Sequence, residues 1–431
     1  MILFTEILLD ILELIHDDVE TLKTLALTSS IFRDLCQQQL FQCVNLRNVI
    51  IAKYNSAVPP AFLVQFHDVV TKNPRIASYV REIRLAQHSI PPTGGLRYRR
   101  PGVPMLWMLD KPTLIVEVLD ALSSSPIHTL AFVSRKVINW TDLHEGFRRS
   151  FLEILRNPSF KKISLDGLDI PHHFFCDFTT LQSVNLRSVE VHVGSGDILP
   201  VTRLQQISQL VYNVPYRHRD YNNPNSQIHC IGPIIGLDLS SLQSLTLDFD
   251  LSQVARLTHL LQLPKITSLD VSTVPFANDP DPWHPTPTQP LDLSGLPKLT
   301  NLVLCNNTSG SADQFEWVGN ALESLTMPQR QKLESVTMIL ITTSDTTGKA
   351  ATFDFMTPLA RHLSRLHQCS ERIQRILVHL KVAWGNDPNA LSQLQQGILQ
   401  HLSMDWHGCE DVLDVKVENN LEWLYRNRSA W

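Results

Sequence analysis

Hydrophobic and polar positions alternate along this chain with two different periods, and the change of period divides it. In Met1–Ile15 the apolar residues Ile2, Leu3, Phe4, Ile7, Leu8, Leu9, Ile11, Leu12, Leu14 and Ile15 cover most of a helix, while Glu6, Asp10, Glu13 and Asp17 recur at steps of three and four along one narrow stripe. A surface helix usually hides an apolar arc of about 100° against one core, so an arc this wide predicts a second covering surface. Asp17 followed by Glu20 has the spacing of a helix N-cap with a capping box and predicts a second helix behind it. Leu22, Leu25, Ser29 and Phe32 then share one helical face.

From about residue 76 onward the period becomes two. A pair of apolar residues one position apart recurs as Ile83/Leu85, Leu130/Phe132, Ile163/Leu165, Val184/Leu186, Leu245/Leu247, Leu269/Val271, Leu302/Leu304, Val336/Met338 and Ile376/Val378. The spacing runs from 21 to 47 residues apart from one gap of 61 between Val184/Leu186 and Leu245/Leu247, with the short periods near the leucine-rich-repeat range. Segments with helical periodicity lie between several of these pairs, at about Ala61–Asn73, Phe147–Asn157, Asp313–Leu325, Thr357–Glu371 and Ala390–Met404. Strand, turn, helix and strand in alternation predict parallel pairing, because each helix returns the chain to the same edge. The expected fold class is therefore α/β: a small N-terminal helical module at 1–47, a connecting linker and helix at 48–75, and an irregular leucine-rich-repeat-like solenoid with a parallel sheet at 76–431.

The N-terminal segments Leu3-Phe4-Thr5-Glu6-Ile7-Leu8, Leu25-Ala26-Leu27-Thr28-Ser29-Ser30-Ile31-Phe32-Arg33-Asp34-Leu35 and Leu40-Phe41-Gln42-Cys43-Val44-Asn45-Leu46 resemble the F-box, a module of three short helices. Phe4 stands where that family usually has Pro, Thr28 where it has Val, and Ser30 where a basic residue is common. With the repeat-like remainder, the chain is similar to fungal-type F-box proteins. The resemblance implies docking onto the Skp-type adaptor of a cullin–RING (SCF) ubiquitin ligase through Leu3, Phe4, Ile7, Leu8, Leu27, Thr28, Ser29, Phe32 and Leu35, with the repeat domain holding a protein substrate. The same helical pattern also suits an end cap, which solenoids need. A protein-interaction scaffold without a ligase role is the alternative function.

Composition narrows the remaining choices. A formal charge of −5 over 431 residues leaves no general nucleic-acid footprint. The seven cysteines are scattered, odd in number and without a C-x-x-C pair, which suits free thiols in a reducing compartment, cytoplasmic or nuclear. The apolar start has no basic flank and carries acidic residues inside it, unlike a signal peptide, and no apolar run approaches the roughly 18 residues of a membrane span.

Three stretches interrupt the periodicity: Pro91–Pro104 with Arg97, Arg99 and Arg100; Asn213–Pro233 with Arg217, His218 and Arg219; and Val274–Pro290 with six prolines around Trp283. Trp283 suits either a substrate-recognition anchor or a side chain folded back over the sheet edge. His172-His173 beside Cys176 and Asp177 lacks the second ligand pair of a zinc site, and Trp406–Asp411 holds a His and a Cys without an orienting third group. Gly94-Gly95 has no following Lys-Ser or Lys-Thr, so it is not a phosphate loop. No catalytic residue, metal site or cofactor is expected, and the chain is read as a binding protein rather than an enzyme.

Overall fold

The computed structural model describes residues 8, 10, 12–15, 18–28, 30–50, 61–89, 113–171, 174–176, 178, 180–189, 191–192, 204–213, 236–249, 257–273, 291–308, 313–342, 356–370, 372–382, 392, 395–396, 398–400 and 412–419. The chain divides into two compact units, Met1–Gln205 with Ile231–Leu237, and Gln206–Cys230 with Asp238–Trp431. Both are α/β, and the strand ladders within each are parallel.

After helical residues at 8, 10 and 12–14, the first unit runs through helices α1 (Val19–Thr28) and α2 (Ser30–Gln42), strand β1 (Cys43–Ile50), α3 (Ala61–Lys72), the short α4 (Pro74–Ala77), β2 (Glu82–Ser89), α5 (Thr113–Leu122), β3 (Thr129–Asn139), α6 (Glu145–Leu155), β4 (Lys162–Pro171) and β5 (Ser183–Arg187), with a two-residue strand β6 (Val191–His192). β1 to β5 pair in sequence order and β6 pairs with β4. The register stacks two apolar rows, Val44, Ile83, Leu130, Ile163, Val184 and Leu46, Leu85, Phe132, Leu165, Leu186. All ten are buried. Period-two spacing puts both members of each pair on one face, and parallel pairing then aligns that face from strand to strand.

Behind these rows lies an aromatic cluster. Trp140 meets Phe174 edge-on at 4.9 Å and Phe151 at 5.5 Å, while Phe174, Phe175 and Phe178 meet one another edge-on at 5.1–5.9 Å. Edge-to-face geometry aligns the positive ring edge with the negative face, which adds to the area these rings bury. α6 contributes Phe147, Phe151, Ile154 and Leu155 at helical spacing. It begins two residues before the expected start because His144 Nδ1 accepts the Gly146 N–H and caps it. It stops at Leu155; Asn157 turns inward instead, donating through Nδ2 to the carbonyls of Ser123 and Ser125.

The second unit repeats the arrangement through β7 (Gln209–Asn213), β8 (Ser244–Phe249), β9 (Ser268–Thr273), β10 (Asn301–Thr308), α7 (Asp313–Ser324), α8 (Met327–Arg330), β11 (Ser335–Thr342), α9 (Met356–Gln368), β12 (Arg375–Val382) and β13 (Leu413–Asn419), the strands again pairing in chain order. Its rows are Leu210, Leu245, Leu269, Leu302, Val336, Ile376, Leu413 and Tyr212, Leu247, Val271, Leu304, Met338, Val378, Val415.

One backbone device recurs at the strand starts. The Arg81 carbonyl accepts the N–H groups of both His128 and Thr129, the His128 carbonyl those of Lys161 and Lys162, and the Lys161 carbonyl those of Gln182 and Ser183. In the second unit the carbonyls of Ser208, Gln243, Thr267 and Thr300 each accept two consecutive N–H groups in the same way. A carbonyl oxygen has two lone pairs and can take both N–H groups; in the second unit the Thr267 and Thr300 hydroxyls also reach the Gln243 and Thr267 carbonyls, at 3.3 and 3.1 Å.

All nine apolar pairs lie in strands of the expected type. β1, β7 and β13 were not expected as strands. Of the helical segment at 390–404, residues 392, 395–396 and 398–400 are described as helical, with Ile398 buried. The interrupting stretches 91–104, 214–233 and 274–290, with Trp283, lie outside the described residues, as do His172, His173, Asp177 and 406–411.

Candidate docking surface on the N-terminal helices

Leu8, Asp10 and residues 12–14 are helical, and the turn after them closes with Asp18 N–H donating to the Ile15 carbonyl at 2.9 Å. α1 then starts one residue later than Asp17 and Glu20 predict. Asp18 is its cap: Oδ1 accepts the Thr21 N–H at 3.1 Å and Oδ2 the Thr21 hydroxyl at 2.6 Å. These bonds favour the charged form and hold the Asp18 carboxyl below the usual carboxylate range. Glu20 pairs with Lys23 at 2.7 Å instead of closing a capping box.

The helices share a small core of their own. Leu12, Leu22 and Cys36 are fully buried, and Ile15, Leu25, Ala26, Phe32, Leu35 and Leu40 pack half-buried around them. Burial pushes the Cys36 thiol pKa upward. What this core does not take up is large: Leu14 is 86% exposed, Leu27 83% and Val19 47%. Covering a leucine fully contributes roughly 1.5–3 kcal/mol, so Leu14 and Leu27 hold unrealised burial energy.

The expected docking residues divide accordingly. Leu27 and Thr28 face solvent, the Thr28 hydroxyl donating to the Leu25 carbonyl at 2.9 Å. Phe32 and Leu35 lean on the small core, and Leu8 is enclosed, with 5% exposure. Leu3, Phe4, Ile7 and Ser29 lie outside the described residues. Leu14 and Val19 are exposed apolar positions that the motif does not contain. A signal for Leu14 was present, since it stands four residues after Asp10, on the helix's polar stripe.

Elsewhere the chemistry is internal. α7, α8 and α9 border a cleft of about 310 Å³ lined by Leu322, Glu323, Arg330, His362, Arg365 and Leu366. Glu323 Oε1 lies 3.0 Å from His362 Nδ1 and 3.1 Å from Arg365 Nη1, while Arg330 donates to the carbonyls of Leu325, Leu322 and Glu323 and closes the C-terminus of α7. These charges serve one another and the helix end. Burial raises the Asp166 carboxyl to about 6, partly offset by Arg187, and also raises Asp270; the two lie in different units. Among the described residues no group of three or more His, Cys, Asp or Glu side chains is placed to hold a metal ion, and no helix is long and apolar enough to cross a membrane.

No family model matches the chain, and neither a curated protein nor a solved structure is similar to it.

Proposed function

We propose that this chain is the substrate-receptor subunit of an SCF-type ubiquitin ligase, cytoplasmic or nuclear. In this reading the N-terminal helices dock on a Skp-type adaptor, and the leucine-rich-repeat-like region at 76–431 holds a target protein. The observation that carries it is the incompletely covered core of the helical module: Leu27, inside the F-box-like segment, and Leu14 stand in solvent beside the core that Leu12, Leu22 and Cys36 form among the described residues. The in-order parallel strands and their recurring carbonyl clasps support the repeat reading. The chain is not itself the catalyst. Ubiquitin transfer belongs to the cullin–RING assembly, and the receptor raises the effective concentration of a target lysine near the charged conjugating enzyme.

Co-expression with a Skp-type adaptor tests this. The wild-type chain copurifies with the adaptor, and Leu27→Asp and Leu14→Asp abolish copurification while leaving thermal melting unchanged, since both side chains are already in water. A wild-type chain that does not bind the adaptor sinks the reading.

The alternative, a non-catalytic interaction scaffold, is favoured by the enclosure of Leu8, a residue the motif assigns to the adaptor. Reconstitution with cullin, RING subunit and conjugating enzyme separates the two: ubiquitin transfer to a bound protein supports the receptor, and adaptor binding without transfer supports the scaffold.

A further inference from the structure

We infer that the N-terminal helical pair is also the end cap of the first unit's sheet, so that the order of α1 and α2 and the order of β1 and β2 form one equilibrium. This goes beyond the docking reading and holds whichever protein docks.

α2 ends at Gln42 and β1 begins at Cys43, with no intervening residue. The Gln42 carbonyl, the last of α2, accepts the Arg81 N–H at 2.9 Å at the entrance to β2. That is the position the carbonyls of Arg81, His128 and Lys161 hold for the strands that follow, so the helix terminus itself serves as the first clasp. Two side-chain ties lie alongside: Asp34 of α2 meets Arg75 of α4 at 2.9 Å, and Phe41 of α2 lies 6.5 Å from Phe66 of α3. Arg75 in turn stands over the Tyr79 ring at 5.8 Å. Among the described residues β1 pairs with β2 alone, and Val44 and Leu46 end both apolar rows. Loosening α2 therefore releases the start of β1 and removes the acceptor for Arg81. A separate domain on a tether would do neither.

Hydrogen exchange on the full-length chain tests this without any partner, so its outcome is independent of adaptor binding. Leu22→Ala weakens the small helical core, whose packing neighbours among the described residues lie between Leu12 and Leu40. Exchange then accelerates about tenfold or more in β1 and β2 as well as in α1 and α2, while β10 to β12 keep wild-type protection. Phe41→Ala provides a milder variant with the same expected pattern should Leu22→Ala not accumulate. By reciprocity, Ile83→Ala in β2 accelerates exchange in α2. If α1 and α2 exchange faster while β1 and β2 retain wild-type protection, the helices are an independent appendage and the inference is overturned.

Discussion

Arg75 Nη2 lies 2.9 Å from Asp34 Oδ2 and joins α4 to α2, the helix that runs directly into the first strand. Both side chains are well exposed, so the pair sets orientation more than it adds stability. Exposed ion pairs contribute roughly 0–1 kcal/mol, and Asp34→Ala accordingly lowers the unfolding free energy by less than about 1 kcal/mol, measured by denaturant titration. A larger loss would mean that Asp34 holds more than Arg75.

Core truncations follow burial. Phe151 is fully buried among Phe132, Trp140 and Phe147. Phe151→Ala is expected to cost about 3–5 kcal/mol, the range for emptying an aromatic site that cannot collapse. Leu413 ends its row half-buried, and Leu413→Ala costs distinctly less. Equal losses at the two positions in denaturant titration would contradict this ordering.

Two glycines permit close approach for different reasons. A Cβ on Gly319 of α7 would meet His362 Nε2 at 2.6 Å, whereas a Cβ on Gly295 would meet the Leu261 carbonyl oxygen at 2.6 Å. Each alanine substitution forces a shift costing about 1–3 kcal/mol. A side-chain obstacle can be removed and a backbone one cannot. In a double-mutant cycle, Gly319→Ala therefore becomes nearly neutral in a His362→Ala background. Gly295→Ala stays destabilising in a Gln262→Ala background, because the Leu261 carbonyl remains in place.

The Asp166 carboxyl carries a pH signature. Burial raises it from the ordinary 3.8 to about 6, so the folded chain holds this proton more tightly than the unfolded chain. Its contribution to stability is complete below pH about 4 and is lost as pH rises through about 6, a change of roughly 3 kcal/mol. Asp166→Asn removes that slope and raises stability at neutral pH, as read from denaturant midpoints across pH 4–8. An unchanged slope would mean that Asp166 is better solvated than its burial implies.

The repeating strands were legible in the sequence because their signal is local. Ile163 with Leu165, or Leu302 with Leu304, places two apolar side chains on one face of any extended segment, and intervening helices leave parallel pairing as the economical connection. The same locality explains what was missed. Val44 and Leu46 form such a pair, yet they follow a helical run, and the sequence alone does not say that α2 stops at Gln42. Leu210 with Tyr212 and Leu413 with Val415 are pairs of this kind too, and only their partners in β8 and β12 make them rungs.

The chain's own letters thus determined element type and the inward face of most strands, since backbone geometry converts residue spacing directly into side-chain direction. Tertiary structure alone decided that Leu8 is enclosed while Leu27 stands in water, and that the Gln42 carbonyl serves the strand at Arg81. Burial and hydrogen-bond partnership are properties of what comes to lie alongside a residue, and those neighbours are supplied by segments far away in the chain.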